Sequence, residues 1–135
     1  MNNSAFIAID GNQIGKKIEK MIFLNDLEGL ADFSVNITQV ISDLAVTIGR
    51  YGSIYLSGGD NILAEVDREK MTELLEQIKD ISGTGWEYST GIGASALDAY
   101  LALKCAKVSK EKIVEYSDNR FITGEIHIEG DKAGI

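Results

Sequence analysis

The sequence predicts an α+β domain with helices packed on one face of a mostly antiparallel sheet. Three observations support this class. A buried-strand pattern opens the chain, two apolar runs flank a Gly-Gly-Asp turn near its middle, and segments of helical periodicity separate the strand candidates. The 135 residues fit a single domain spanning 1–135, and we expect a frayed tail after about residue 130.

Composition and charge narrow the classes of function. Apolar residues make up 44% of the chain, charged residues 25%, and no apolar run approaches the ~20 residues of a membrane span, so we expect no membrane insertion. The net charge of −8 argues against binding of long nucleic acid, which depends on clustered Lys and Arg. There is no basic n-region, and Cys105 is the single cysteine, so we expect a cytoplasmic protein.

The chain opens with a strand followed by two helices. Residues 5–10 form an apolar run that ends on an acid, which is typical of a buried central strand with a polar residue at its C-terminal end. A turn at 11–15 leads into a helical pattern at 16–24. After a predicted break at 25–32, an apolar period of about 3.6 predicts a longer helix over 33–49.

The middle of the chain predicts a β-hairpin whose tip carries a carboxylate. Residues 51–56 and 62–66 are strand-like, and the segment SGGDN at 57–61 joins them. Gly58 and Gly59 permit positive φ and leave no side chains in the way of a bulky ligand. Asp60 on such a tip suits Mg²⁺, which prefers oxygen ligands. The alternative is a turn that serves geometry alone.

The second half of the chain predicts further helices and strands. Asp67 is expected to cap a third helix, which the glycines near 83–85 end. Residues 86–93 predict a strand, and Ser95 is a candidate N-cap for a fourth helix that runs to about residue 108. Residues 112–116 and 125–129 predict two more strands.

This order of elements predicts a ferredoxin-like arrangement in which two acids meet. A helical crossover makes the first and second strands parallel, so the third strand is antiparallel to the first if the two are neighbours. Asp10 at the end of the first strand would then lie beside Asp60. Two carboxylates ~4 Å apart repel by about 4 kcal/mol at an effective dielectric near 20. A divalent cation between them would remove that repulsion.

Three segments resemble a known group of enzymes. They are IDGN at 9–12, SGGDN at 57–61 and STGIGAS at 89–95, in the order seen in palm-type nucleotide cyclases. That group includes GGDEF diguanylate cyclases and the palm domain of the large subunit of type III CRISPR effectors. The length, the DGNQIG start and the GGDN hairpin resemble most the minimal CRISPR polymerase (mCpol) family, over about residues 6–116.

The resemblance implies a role for each matching residue. The catalytic acids would be Asp10 and Asp60, which would hold Mg²⁺ or Mn²⁺ together with the carbonyl of Gly11. Lys107 matches a lysine that holds the terminal phosphates in GGDEF enzymes. The other nucleotide-binding residues expected from the resemblance are Gly11, Asn12, Gln13, Ile14, Gly15, Gly58, Gly59, Asn61 and Lys110.

The resemblance also implies the chemistry and the partners. A ribose hydroxyl would attack an α-phosphate with loss of pyrophosphate, helped by Mg²⁺. One domain would hold one nucleoside triphosphate, with ATP favoured, so a homodimer is expected to make a cyclic di- or oligonucleotide. The product would act in antiviral defence as a signal to an effector protein.

Two departures from the group's pattern keep other functions open. Many relatives have an acid where this chain has Asn12, and an Asp or Glu where it has Asn61. A neutral amide oxygen is a poorer Mg²⁺ ligand than a carboxylate. The first alternative is therefore a nucleotide-binding sensor or dimerisation module with little or no turnover. The second is a ring-opening enzyme like GTP cyclohydrolase III.

Overall fold

The structure is a computed structural model that describes residues 3–81, 87–109 and 111–123. Within these ranges the strands are β1 (Ser4–Gly11), β2 (Gly52–Gly58), β3 (Asn61–Asp67), β4 (Tyr88–Gly93), β5 (Ile113–Ser117) and β6 (Arg120–Thr123). The helices are α1 (Ile14–Phe23), α2 (Leu27–Gly49), α3 (Met71–Ile81) and α4 (Ala96–Ser109), with a 3₁₀ turn at Arg68–Lys70.

The strands form one sheet in the order β2-β3-β1-β4-β5-β6. Every neighbouring pair is antiparallel except β4 with β5. The first four strands have the ferredoxin-like order, in which β3 lies between β2 and β1 and runs antiparallel to both. The predicted α+β class and the mostly antiparallel sheet are confirmed.

Helices cover both faces of this sheet. Along β1, Ile7 and Ile9 are buried in a core that includes residues of α1, α2 and α3. Ala8, between them, packs instead with Ala99 and Leu103 of α4. Because successive strand residues point to opposite faces, α4 lies on the face opposite α1–α3. The prediction that the helices pack on one face is therefore wrong for α4.

The prediction of one covered face fails because of the handedness of the connection through α4. The α1–α2 segment connects β1 to the parallel strand β2, and α4 connects β4 to the parallel strand β5. The two connections start from strands of opposite direction and move toward opposite edges of the sheet. Reversing both the strand direction and the direction of movement leaves the hand and the face unchanged, so two crossovers of the same hand would lie on one face. The usual preference for right-handed crossovers therefore predicts that both connections lie on one face. Since α4 lies on the other face, its crossover has the opposite hand from that of α1–α2.

Side-chain caps explain where two helices begin. The carboxylate of Asp26 accepts a hydrogen bond from the backbone N–H of Gly29 at 2.9 Å, so α2 begins earlier than predicted and the break before it is shorter. Ser95 caps α4 as expected, since its hydroxyl accepts a hydrogen bond from the N–H of Asp98 at 3.1 Å. Asp67 accepts in the same way from the N–H of Glu69 at 3.0 Å, at the 3₁₀ turn that leads into α3.

The end of the described chain contains a hairpin that the sequence patterns did not predict. Asp118 and Asn119 both have positive φ, 52° and 61°, which is the pattern of a type I′ turn, and they join β5 to β6. The predicted strand at 125–129 and the tail after residue 130 lie outside the described residues. In the part of the chain that the structure describes, no helix has the length and apolarity to cross a bilayer.

Candidate active site

The β2–β3 hairpin has the tight turn that its glycines predict. Gly58 pairs with Asn61, which leaves Gly59 and Asp60 as a two-residue turn. Of these two turn residues, Gly59 has the positive φ, 57°. This is the pattern of a type II′ turn, which favours glycine at its first central position. Asp60 therefore takes the second position, at the tip.

Pairing between β1 and β3 brings that tip to the end of β1. Asp10 lies opposite Asn61 in the register of the two strands. The backbone N–H of Gly11 donates a hydrogen bond to the carbonyl of Asp60 at 3.0 Å. The structure thus shows the convergence of Asp10 and Asp60 that the sequence predicts.

The two carboxyl groups interact directly. Burial raises the pKa of Asp60 above its ordinary value, and the charge of Asp10 and a hydrogen bond with its carboxyl raise it further. The positive charge of Lys107 lowers the pKa of Asp60, but its effect is smaller. Ionising Asp60 beside Asp10 is therefore unfavourable unless more positive charge comes close.

Lys107 of α4 lies against this acidic pair. Its Nζ is 3.0 Å from Oδ2 of Asp10 and 3.0 Å from the carbonyl oxygen of Gly11, and it donates a hydrogen bond to each. The ion pair is partly buried, with 30% of the Lys107 side chain and 28% of the Asp10 side chain exposed. The resemblance assigned Lys107 to phosphates, whereas here it contacts two of the three predicted metal ligands.

The loop between β1 and α1 is tied to β4. The N–H of Asn12 donates to the carbonyl of Glu87 at 2.8 Å, and the Asn12 side-chain oxygen accepts from the Ser89 hydroxyl at 2.8 Å. Gln13 then takes the left-handed conformation (φ 57°, ψ 31°), and its side chain makes no capping hydrogen bond. The N–H groups in the first turn of α1 thus lack a side-chain cap from Gln13, and such groups are suited to an anion.

Glycines leave space around the two acids. An added Cβ at Gly15, Gly58 or Gly59 would have no other atom within 4 Å, apart from the neighbouring residues and the helix's own backbone. A ligand can therefore approach the backbone closely at these positions, as predicted for the hairpin. Ile14 is buried, with 9% of its surface exposed, so its contact with a ligand would be through the backbone.

Ser89 and Glu87 were missed as site residues by the sequence reasoning. Ser89 belongs to the STGIGAS segment and lies opposite Asp10 in the antiparallel pairing of β1 with β4. The pairing of β1 with β4 could have identified Ser89, because a buried central strand needs a neighbouring strand on each side. Lys110, which was predicted to bind nucleotide, lies outside the described residues.

The described residues contain no group of three or more His, Cys, Asp or Glu side chains that could hold a metal ion. A metal at the acid pair would therefore depend on the Gly11 carbonyl as its third protein oxygen.

A cavity of about 290 Å³ lies elsewhere, between α3 and the β5–β6 hairpin. Its lining combines polar and apolar side chains and includes an ion pair between Arg68 and Glu115 at 3.5 Å. Neither Asp10, Asp60 nor Lys107 lines it. We place the candidate site at the acid pair because two carboxyl groups, a backbone carbonyl and the ammonium of Lys107 meet there.

Comparison of the sequence with models of known protein families finds a match. A family model of the minimal CRISPR polymerase domain (mCpol) matches residues 6–116, which is most of the chain. The chain belongs to the mCpol family. The resemblance found in the three sequence segments is thereby confirmed.

The fold of this mCpol chain is shared with a solved cyclase. The structure of a diguanylate cyclase/phosphodiesterase from Caldicellulosiruptor saccharolyticus is similar, with a TM-score of 0.56 and 16% sequence identity, over 88% of this chain and 79% of that one. At such low identity the likeness shows the fold alone. No curated protein matches the sequence. The mCpol family and this fold together support a role of the nucleotide cyclase or polymerase type.

Proposed function

We propose that this mCpol chain is a Mg²⁺-dependent nucleotidyltransferase that condenses nucleoside triphosphates, with ATP favoured, into a cyclic di- or oligonucleotide. The observation that supports it best is the convergence of oxygens beside Asp60. Asp10 Oδ2 and the Gly11 carbonyl both lie 3.0 Å from one positively charged nitrogen. Two oxygens already arranged around a cation, next to a second carboxylate, fit a hard metal ion.

The donor set therefore fits Mg²⁺ or Mn²⁺, with Asp10, Asp60 and the Gly11 carbonyl as ligands. When bound, the ion would neutralise phosphate oxygens and lower the pKa of the attacking hydroxyl. The raised pKa of Asp60 agrees with this assignment. Two adjacent ionised carboxylates repel each other, and a cation between them removes this repulsion, so the pair is suited to bind a metal ion.

The chain's own residues would bind and orient the nucleotide. The N–H groups at the start of α1 and the ammonium of Lys107 would hold the phosphates, and the open surface at Gly58 and Gly59 would admit the ribose. In the reaction, a ribose hydroxyl oxygen forms a bond to the α-phosphorus of a second nucleotide. The bond from that phosphorus to the bridging oxygen of the pyrophosphate breaks, pyrophosphate leaves with the bonding electrons, and the hydroxyl proton passes to solvent.

Closing a cyclic dinucleotide needs two such steps and two nucleotides, and each further nucleotide in a larger ring needs one more step. Because one domain would hold one nucleoside triphosphate, the active form in this proposal is a homodimer whose two sites face each other. The cyclic product would serve antiviral defence as a signal that an effector protein reads. Membership of the mCpol family is what supports this part of the proposal.

A second candidate is a nucleotide-binding sensor without turnover. The observation in its favour is that Asn12 and Asn61 bring neutral amides where further carboxylates would strengthen a metal site. In the structure, the Asn12 oxygen already accepts a hydrogen bond from Ser89. In the sensor, the acid pair would position the nucleotide and the reaction would not proceed.

Incubation of the purified protein with each nucleoside triphosphate and Mg²⁺ or Mn²⁺ tests these candidates. The proposal expects released pyrophosphate and a cyclic product. Binding without turnover would identify the sensor, and an opened purine ring would identify a reaction like that of GTP cyclohydrolase III.

Asp60→Ala is expected to lower turnover by ~100-fold or more, the scale seen when one group that stabilises a transition state is removed. Asp43→Ala is the matched control, since Asp43 is an exposed acid on α2 that contacts Gln39. Unchanged turnover in Asp60→Ala, with a folded protein, would contradict the assigned site.

A further inference from the structure

Lys107 occupies the place that the metal ion would take. Its Nζ lies 3.0 Å from Asp10 Oδ2 and 3.0 Å from the Gly11 carbonyl. An ion such as Mg²⁺ needs the same two oxygens at about 2.0–2.1 Å. A divalent ion bound there and an ammonium hydrogen-bonded to the same oxygens would be neighbouring positive charges that share ligands. The metal and the ammonium therefore compete for one position.

The backbone of Lys107 is held in place, while its side chain is partly exposed. Its neighbour in α4, Ala106, is fully buried, and so is Ala102, one turn earlier. The helix is also pressed against β4 at Gly91, where an added Cβ would clash with the backbone of Ala99 and Leu103. The Lys107 side chain, by contrast, keeps 30% of its surface exposed. Motion of the side chain alone is thus enough to move the ammonium.

We propose that Lys107 is an exchangeable internal cation that closes the acid pair to free metal and leaves it when nucleotide phosphates arrive. This inference rests on the proposed function, because it takes Asp10, Gly11 and Asp60 as the metal ligands. Without nucleotide, Lys107 neutralises Asp10. With nucleotide, its ammonium pairs with the phosphates and the oxygens become available to the metal.

Nucleotide and metal therefore bind cooperatively, each favouring the other. Such coupling is reciprocal by thermodynamic necessity, so metal must tighten nucleotide binding by the same factor.

Lys104 provides a matched control on the same helix. It is exposed, and its Nζ lies 5.2 Å from the centroid of the Tyr100 ring. Lys104→Met removes the same charge from α4 without touching the acid pair. Lys107→Arg keeps the charge at the site and controls for loss of the positive group.

The test is Mn²⁺ binding in the absence of nucleotide, measured by electron paramagnetic resonance of the free ion. We expect Lys107→Met to bind Mn²⁺ about 10-fold more tightly than wild type, within the usual range of coupling between sites. Lys104→Met and Lys107→Arg should stay near the wild-type affinity. In the unmodified protein, a non-hydrolysable ATP analogue should tighten Mn²⁺ binding about 10-fold, and Lys107→Met should lose most of this gain.

Two results would overturn the inference, and they differ from failure of the proposed function. One is a wild-type Mn²⁺ affinity that the ATP analogue leaves unchanged, a measurement that needs no variant to fold. The other is a Lys107→Met protein that folds and binds Mn²⁺ no more tightly than wild type, while Asp10→Asn still abolishes binding. If no form binds Mn²⁺ with or without nucleotide, the metal-dependent function fails and the inference fails with it.

Discussion

The two faces of the sheet are built from residues of very different size. On the face of α1–α3, large branched side chains fill the core, and Ile7, Leu44 and Leu74 have no exposed surface. Burial of side chains of this size is the main favourable contribution to folding, at about 1.5–3 kcal/mol each. This face therefore supplies most of the stability of the domain.

The face of α4 is built from small residues instead. Ala99 and Ala106 are fully buried on the helix, and Gly91 and Gly93 of β4 leave no room for a Cβ against it. Alanines and glycines bury little apolar area, but they allow a helix and a strand to approach closely. The close approach lets Lys107, one turn beyond Leu103, reach the end of β1. One face thus mainly sets the stability, and the other sets the geometry of the site.

The largest expected effect on stability comes from the large-residue face. Leu44→Ala should lower the free energy of unfolding by about 2–5 kcal/mol, because it removes a fully buried side chain and leaves a cavity. Urea denaturation measures this loss. In conditions where the variant remains folded, its Mn²⁺ affinity should match that of the wild type, since α2 contributes no residue to the acid pair.

Val46→Ala is the control for Leu44→Ala on the same helix. Val46 is 58% exposed, and its truncation should change stability by less than about 1 kcal/mol. Similar losses in the two variants would contradict the assignment of the main core to this face.

The small-residue face predicts a smaller loss of stability with a larger effect on the site. Gly91→Ala should cost about 1–3 kcal/mol, since its Cβ would meet the backbone of Ala99 and Leu103, which cannot move without shifting α4. A shift of α4 would also move Lys107 away from the site, where it is proposed to hold the phosphates, so nucleotide binding should weaken. Unfolding curves and nucleotide titrations measure the two effects.

Gly15→Ala gives the opposite sign of stability change. Gly15 lies in α1 with open space around its Cβ position, so alanine should stabilise the fold by about 0.4–1 kcal/mol. If Gly91→Ala were as well tolerated as Gly15→Ala, close packing of α4 would not be what positions Lys107.

Sequence patterns predicted the acid pair because it depends on rules of strand pairing. Asp10 closes a buried strand, Asp60 lies at a glycine turn, and antiparallel neighbours bring a strand end beside a hairpin tip. No long-range contact had to be known beyond the order of the strands. This part of the site follows from the alternation and turn chemistry of two short segments.

The position of α4 could not be predicted in the same way. Its apolar residues lie on all sides, so that Leu103 is buried while Leu97 and Val108 are 63% and 80% exposed. Without an apolar stripe, the sequence does not say which side of the helix packs. The usual right-handed preference would place α4 on the wrong face, and the contact of Lys107 with Asp10, 97 residues away in sequence, had no local signal.

The smallest effect tests whether the acid pair lowers the stability of the fold. Since the pKa of Asp60 is raised in the folded protein, mainly by burial and then by Asp10, the folded state holds this proton more tightly than the unfolded chain does. Stability is then lost as pH rises from the ordinary value of 3.8 through the raised pKa. Asp60→Asn, which cannot ionise, should therefore melt at a higher temperature than wild type at neutral pH in EDTA.

The difference between Asp60→Asn and wild type should shrink as pH falls toward 3.8 and vanish below it, where Asp60 is protonated in the unfolded chain as well. Thermal melts across this range measure it, with Asp43→Asn as an exposed control that should track the wild type. Mn²⁺ with nucleotide should raise the melting temperature of the wild type and leave Asp60→Asn nearly unchanged, because ligands stabilise only the state that binds them. If Asp60→Asn were less stable than wild type at neutral pH, ionised Asp60 would stabilise the fold, which would contradict the raised pKa of this group.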